Sequence, residues 1–260
     1  MLIDSHCHLD FDEFNPDRDA ILARATAAGV DAFLTIGIRV RQFARVLAVA
    51  EQYDNVYCTV GTLPHFADEE RDVTTAELVA QTAHPKVIGI GEAGLDTFFG
   101  NASWDAQIDV FRAHIHAARQ TQLPLVIHSV RQDDAMAQIL TEESRKGGFP
   151  ILMHAFSGGP QLAETALSLG AYLSFGGLLT FPENETSRQI AAAAPADRLL
   201  VETDAPSLAP VPHQDERNEP ALIIHTAQLL ADLRHTDLAT IGQQTSENFY
   251  RLFTKARRSD

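Results

Sequence analysis

Six residues stand out by type and by place in the chain: His6, His8, Glu92, His128, His154 and Asp204. Neutral imidazoles and carboxylates are the protein ligands of hydrolytic metal sites, which also need an open coordination position for water. Four imidazoles and two carboxylates are generous for one cation and natural for two. The expected grouping puts His6, His8 and Asp204 around one divalent ion, His128 and His154 around the other, and Glu92 between them. A water acidified by the cations would be the nucleophile, with Glu92 and Asp204 as the catalytic carboxylates and Asp204 orienting that water or taking its proton. Imidazole suits manganese or zinc; magnesium, which prefers oxygen, comes third.

Each of these residues sits at the end of a short apolar run. Candidate strands begin near Leu2, Ala32, Val56, Val87, Leu125, Ile151, Ala171 and Leu199. Runs such as Leu125-Val126-Ile127 and Leu199-Leu200-Val201 are continuously apolar, as in parallel strands covered on both faces. Helical patterns lie between them: Arg18 to Ala28, Trp104 to Gln120 with Ser103 as N-cap, Gln161 to Leu169 after Pro160, and the Ala191–Ala194 tract. Eight such units in 260 residues, with no linker or composition break, predict one (β/α)8 TIM barrel over residues 1–260. An open doubly wound sheet is the alternative. In the barrel the six residues would close strands one, four, five, six and eight at their carboxyl ends, which converge on the face where this fold builds active sites.

Strand alternation turns Cys7 away from its two histidine neighbours, as a small packed hydrophobe. The same alternation puts Asp4 on the face of His6 and Glu202 on that of Asp204, each in place to hold a ligand imidazole or to be a buried, hydrogen-bonded carboxylate. His84, His114, His116, His225 and His235 fall on helices or connections and read as surface residues; His114 and His116, two apart, share no helix face. The stretch from Ala205 to Pro220, with Pro206, Pro210 and Pro212, is the longest irregular segment and is expected to lie over the barrel mouth against substrate.

A hydrophobic fraction of 45% with 21% charged residues is ordinary for a globular fold with a sizeable core. The net charge of −15 argues against tight, sequence-independent binding of duplex DNA. Phosphate binding stays open, because metal ions can supply the local positive charge. Cys7 and Cys58 form no disulfide framework and fit a reducing compartment. No apolar run nears the ~18 residues of a membrane span, and Met1-Leu2-Ile3 does not open a signal peptide. The expectation is a cytoplasmic protein with no membrane association and no stable protein partner.

The motifs Asp4-Ser5-His6-Cys7-His8-Leu9-Asp10, Gly91-Glu92-Ala93-Gly94-Leu95-Asp96, Leu123 to Ser129, His154 to Gly159, Val201-Glu202-Thr203-Asp204-Ala205-Pro206 and Asn218-Glu219-Pro220 occur in one order from end to end. In this set the chain resembles the TatD family of metal-dependent deoxyribonucleases, among the metallo-dependent hydrolase barrels. The resemblance implies a (β/α)8 barrel, divalent cations, and phosphodiester cleavage, commonly as a 3′-end exonuclease on single-stranded DNA. The family's metal ligands fall on the same six residues. Three departures concern the substrate side. The family shows Gly-x-His-Pro-His where this chain reads Gly61-Thr62-Leu63-Pro64-His65, so that Leu63 replaces the first histidine; Val130 stands where the family tends to place arginine, with Arg131 next; and Arg217 alone remains of an arginine-rich stretch before Asn218. His65, Arg131 and Arg217 are accordingly the candidates for substrate binding, the arginines as phosphate clamps and His65 as a contact or proton donor to the leaving oxygen. Phe98, Phe99 and Trp104 could stack bases, although Trp104 also fits ordinary helix packing.

The partner these readings imply is single-stranded DNA or a small phosphodiester. Since one fold serves many reactions, hydrolysis of another ester, such as a lactone or a mischarged aminoacyl-tRNA, is the alternative, and a non-enzymatic metal-binding role comes last. Relatives that act on cyclic amides or phosphotriesters commonly bridge their metals with a modified lysine, and Glu92 at that place disfavours those classes.

Overall fold

A computed structural model describes residues 1–99 and 102–258 and places eight parallel strands in one sheet, in chain order. They are β1 (Leu2–Cys7), β2 (Val30–Thr35), β3 (Val56–Val60), β4 (Val87–Asp96), β5 (Leu125–Val130), β6 (Ile151–Met153), β7 (Tyr172–Phe175) and β8 (Leu199–Val201). A helix follows each: α1 (Arg18–Ala27), α2 (Phe43–Gln52), α3 (Thr75–Gln81), α4 (Trp104–Thr121), α5 (Asp133–Arg145), α6 (Pro160–Ser168), α7 (Glu185–Ala193) and α8 (Ile223–Leu233), with α9 (Leu238–Leu252) beyond. The architecture is the TIM barrel that the apolar runs predict. Local chemistry explains several helix starts. Thr74 and Glu77 form a reciprocal capping box on α3, and Pro160 opens α6 where its missing N–H costs nothing. Ser103 precedes α4 without capping it, because its hydroxyl and backbone N–H both donate to Asp68.

Burial falls into two layers. Leu2, Phe33, Val56, Val87, Leu125, Ile151, Leu173 and Val201 pack outward against the helices. Ile3, Leu34, Tyr57, Ile88, Val126, Leu152, Tyr172 and Leu200 cluster together and with Phe249, Leu252 and Phe253. By strand alternation the second set fills the barrel, and α9 stoppers its amino-terminal end. Burying Phe249 and Phe253 in full stabilises the fold by about 1.5–3 kcal/mol each.

The strand ladder runs from β1 to β8, and the seam between those two is closed by other bonds. At the lower end Asn248 of α9 donates to the carbonyls of Ala196 and Leu199. Midway the Ser5 hydroxyl donates to Val201 O. At the upper end Asp204 N donates to His6 O and His8 N to Ala205 O, both at 2.8 Å. The ring thus shuts with backbone bonds made by three of the residues singled out from sequence.

Two register slips decide which side chains face the mouth. On β1, Asp4 and Cys7 pair with Phe33 and Thr35 of β2, so one extra residue is accommodated between them. On β4, Ile90 and Ala93 pair with Leu125 and Ile127 of β5, leaving an extra residue around Gly91 and Glu92. Such bulges re-aim side chains beside active sites. Glycine is required at the second: a Cβ on Gly91 would stand 2.5 Å from Val126 O, and one on Gly61 would stand 2.4 Å from the Gly91 backbone.

His114 departs from its reading as a surface residue. It is fully buried on α4, where Nδ1 donates to Val110 O and Nε2 accepts the Thr62 N–H at 3.0 Å. Val110 lies one turn earlier on the same helix, but Thr62 comes from the connection after β3, which helix periodicity cannot show. His116 and His84 remain partly exposed. Burial, against weaker support from the Val110 carbonyl, lowers the His114 pKa from 6.5 to about 4. The unfolded chain therefore takes up a proton below about pH 6.5 that the fold refuses until pH 4, and stability falls through that window by up to about 3 kcal/mol. A His114→Gln variant lacks this liability. Its stability deficit against wild type is expected to shrink by about 2 kcal/mol between roughly pH 7 and pH 5 in denaturant titrations, and a constant deficit would contradict the assignment.

Candidate metal centre

The six residues from five strands meet at the carboxyl end of the barrel. Glu92 lies at the middle. Its Oε1 is 2.8 Å from both His128 Nδ1 and His154 Nε2, and its Oε2 is 3.4 Å from His6 Nε2. Asp204 Oδ1 lies 3.2 Å from His8 Nε2 and 3.5 Å from His6 Nε2. The His6 and His154 rings stack, with centroids 3.9 Å apart.

These contacts fit cations better than they fit hydrogen bonds among the side chains themselves. Both ring nitrogens of His6 and Nδ1 of His8 are buried without any hydrogen-bond partner, an arrangement that costs free energy unless something else binds them. Donors arranged tetrahedrally around a cation with bonds of about 2.0–2.1 Å stand roughly 3.3 Å apart, close to the separations seen here. His6, His8 and Glu92 form one such donor cluster and Glu92, His128 and His154 another, with Asp204 completing the first.

The pKa values are shifted in keeping with this. Burial alone would raise Glu92, but the His154 and His6 imidazoles and the contacts from His128 and His154 hold it well below the usual carboxylate range. Burial opposes the charged form of His154, yet Glu92 and Glu202 lift it well above the ordinary value. His6, buried and facing the His154 ring, is lowered and so stays neutral, the state in which imidazole binds metal.

Of the two readings of Glu202, the contact with an imidazole is the one seen: its Oε1 is 3.3 Å from His154 Nδ1 and also accepts the Ala155 N–H. Asp4 holds no imidazole. The bulge on β1 breaks the alternation that placed it with His6, and its carboxylate accepts from the Thr203 hydroxyl and N–H and from His6 N. Burial outweighs those bonds and raises Asp4 to about 8. Cys7 is fully buried away from the site, as expected.

The residue that sequence reasoning missed is Asp96. Its fully buried Oδ2 is 2.9 Å from both His128 Nε2 and His65 Nε2, so one carboxylate ties a candidate ligand to a candidate substrate contact. Burial works against its charge, but these two imidazoles and the N–H groups of Phe98 and Phe99 outweigh it and lower its pKa. The signal was available, since Asp96 lies four residues beyond Glu92 on one strand and so on the same face. Gly94 between them allows the close approach, because a Cβ there would stand 1.9 Å from His128 O.

A cavity of 690 Å³ opens above the centre, lined by His8, Glu92, His128, His154 and Asp204 together with His65 and Arg131. Leu63 and Val130, the two departures from the family pattern, are also in its wall, as are Phe98 and Phe99. Trp104 is not in the lining and begins α4. Arg217 is not brought to the cavity. Its guanidinium is engaged by both oxygens of Asp17 and by Glu13 O, which fastens the loop after β8 to the start of α1. Neighbouring Asn218 secures the same loop through Thr203 O and Ser207 O. Ser207 and Leu208 of that loop do reach the cavity, as its expected position over the mouth requires.

Restoring Mn2+ or Zn2+ to chelator-stripped protein should raise Tm, corresponding to about 2.7 kcal/mol at a hundredfold excess over Kd. Glu92→Ala should abolish that rise. Asp96→Asn, which weakens the support of His128 and of His65 without removing a candidate ligand, should lower metal affinity by roughly 10–100-fold in calorimetric titration while leaving the metal-free Tm near that of wild type. Equal affinity in the two proteins would remove Asp96 from this role.

Comparison with known proteins agrees with this geometry. The family model described as TatD related DNase matches residues 3–254. An uncharacterized metal-dependent hydrolase of Bacillus subtilis, YabD, is 34% identical over 97% of this chain and 99% of its own. The uncharacterized metal-dependent hydrolase TatD of Mycobacterium tuberculosis is 33% identical over 97% of each. The crystal structure of the TatD homologue YjjV from Escherichia coli superposes with a TM-score of 0.90 at 34% identity, covering 97% of this chain and 98% of that one. With a barrel of this form, a candidate ligand set at its carboxyl end and relatives matched over nearly their whole length, this chain belongs to the TatD family of metal-dependent hydrolases.

Proposed function

We propose that this hydrolase cleaves phosphodiester bonds, acting as a deoxyribonuclease that removes nucleotides from the 3′ end of single-stranded DNA. The observation that carries this reading is the Glu92 carboxylate among His6, His128 and His154, with Asp204 beside it, at the floor of a cavity that also presents His65 and Arg131. His6, His8 and Asp204 would hold one divalent cation and His128 and His154 the second, with Glu92 shared; manganese and zinc suit these donors best. Bound there, such cations supply an acidified water and positive charge against the phosphoryl oxygens.

The chain's own groups carry the proton movements. Asp204, its side chain 15% exposed and lining the cavity, would take a proton from the attacking water. His65 would protonate the leaving oxygen. Asp96 accepts from its Nε2–H, which fixes the ring, and a second proton carried on Nδ1 would be the one passed to the leaving oxygen. Arg131 offers paired donors to a non-bridging phosphate oxygen. A cytoplasmic location goes with this reading, supported by two buried, unpaired cysteines, and no helix among the described residues is long and apolar enough to cross a membrane.

End-labelled single-stranded DNA should be shortened by the metal-loaded protein and spared when chelator is present. No chelator-sensitive shortening with any cation tried would end the proposal. Asp204→Asn should reduce kcat by roughly 10²–10⁴-fold with little change in KM. His65→Ala should cost a similar factor on DNA but far less on a diester whose nitrophenolate leaving group needs no proton. An equal loss on both substrates would assign His65 to binding instead.

A further inference from the structure

The cavity wall is chemically lopsided. Apart from the central groups most of its lining is apolar, with Phe11, Ile38, Leu63, Phe98, Leu178 and Leu208 among it; Ser129, Ser157, Ser207 and His65 are its other polar groups, and among the described residues lining it Arg131 is the sole permanent cation. A polynucleotide held along its backbone needs a track of lysine or arginine, since each neutralised phosphate contributes through counterion release. Nothing of that kind lines this cavity, and the chain as a whole carries a net charge of −15. The two departures at Leu63 and Val130 act in the same direction, setting apolar groups where the family resemblance leads one to expect histidine and arginine.

Arg131 itself is held in an unusual way. Its backbone takes a left-handed conformation, φ 56°, directly after β5, and its guanidinium carbon sits 4.0 Å over the Phe98 ring. Among the described residues it makes no ion pair and no side-chain hydrogen bond, unlike Arg217, Arg24 or Arg39 in their carboxylate pairs. A guanidinium held over an aromatic face by its carbon keeps its N–H donors free for a phosphate. Phe98 and Phe99 meet edge to face at 4.5 Å and are 50% and 63% exposed at the mouth, so a second ring can pack beside them.

We propose that the site recognises one phosphodiester and one adjoining aromatic ring, such as a nucleobase, and no more of a nucleic-acid chain: Arg131, laid on Phe98, grips the single phosphate, while Phe98, Phe99 and the apolar wall take the ring. This rests on the phosphodiesterase reading above and narrows it. Short nucleoside diesters are then as good substrates as long DNA, and Arg131 and Phe98 are the residues that set specificity.

The test compares thymidylates from a dinucleotide upward, with Mn2+ fixed and monovalent salt varied. The expected kcat/KM changes less than about threefold with length and falls with a log–log salt slope of about −0.7, the value for a single phosphate on a single strand. A kcat/KM that climbs more than about tenfold with length, or a slope steeper than about −2, would overturn the proposal while leaving phosphodiesterase activity intact. A second arm uses chelator-treated protein and a 2-aminopurine dinucleotide, whose fluorescence is quenched by stacking. Quenching is expected in wild type, lost in Phe98→Ala, and weakened about tenfold in Arg131→Ala, with Arg131→Lys intermediate because it keeps charge without the flat stack. Both side chains lie at the open mouth, and unchanged Tm and Mn2+ affinity would show the variants folded. Unaltered quenching and kcat/KM in Phe98→Ala and Arg131→Ala would overturn the proposal. Phe98-dependent quenching without cleavage of any diester would instead overturn the phosphodiesterase reading and leave this recognition in place.

Discussion

Glu92 is a carboxylate at 2% exposure, held in its charged form by imidazoles arriving from three other strands. Removing such a charge from water is expensive unless partners compensate for it at close range. The compensation here is built into the barrel. His6 comes from β1, His128 from β5 and His154 from just beyond β6, and only a closed ring brings those ends within reach of one group on β4. Even so the site is not self-sufficient, since His6 keeps two buried nitrogens without partners. The fold bears that cost at the one place where divalent cations would repay it.

Much of the remaining architecture can be understood as keeping those side chains aimed. The bulge at Gly91–Glu92 turns Glu92 inward, and Gly61 and Gly91 let the neighbouring strands approach closely enough for it. The seam from β8 to β1 is stitched at its upper end by the backbones of His6, His8 and Asp204. At that end, closure of the barrel and placement of the centre are therefore the same set of bonds, so that loss of one should disturb the other. Behind the candidate ligands stand buried carboxylates with separate tasks: Glu202 steadies His154, Asp96 steadies His128 and His65, and Asp4 binds Thr203 instead of any imidazole. Metal sites elsewhere depend on the same kind of support, because an imidazole fixed by its second nitrogen is both better oriented and more basic.

In the proposed function, reaction and specificity fall to different layers of the molecule. The floor of the cavity is a set of charged and imidazole groups held by strands. The wall comes from loops and is largely apolar, with Arg131 stacked on Phe98 as its cation. Loops tolerate substitution that strand ends carrying ligands do not, which is why one barrel chemistry can serve several substrates.

The order of apolar runs and turn residues was enough to locate the eight strands, with β2 and β7 beginning within two residues of the expected places, because continuous burial leaves an unmistakable pattern along the chain. It was also enough to choose the six central residues, since a strand end is defined locally and the ligand types are few. What the sequence could not settle were matters decided across the fold. His114 looked like a surface histidine until Thr62, from another loop, proved to donate to it. Asp4 left the face of His6 because β1 gains a residue against β2, and a register slip is a property of two strands, not one. Arg217 looked like a phosphate ligand until Asp17, two hundred residues away in the chain, claimed its guanidinium. Asp96 joined His65 to His128 only once β3, β4 and β5 lay side by side. Strand periodicity and ligand chemistry are carried by neighbours in sequence, so they can be read from it; the partner of a buried polar group is whatever the closed barrel sets beside it, and that is decided by tertiary structure alone.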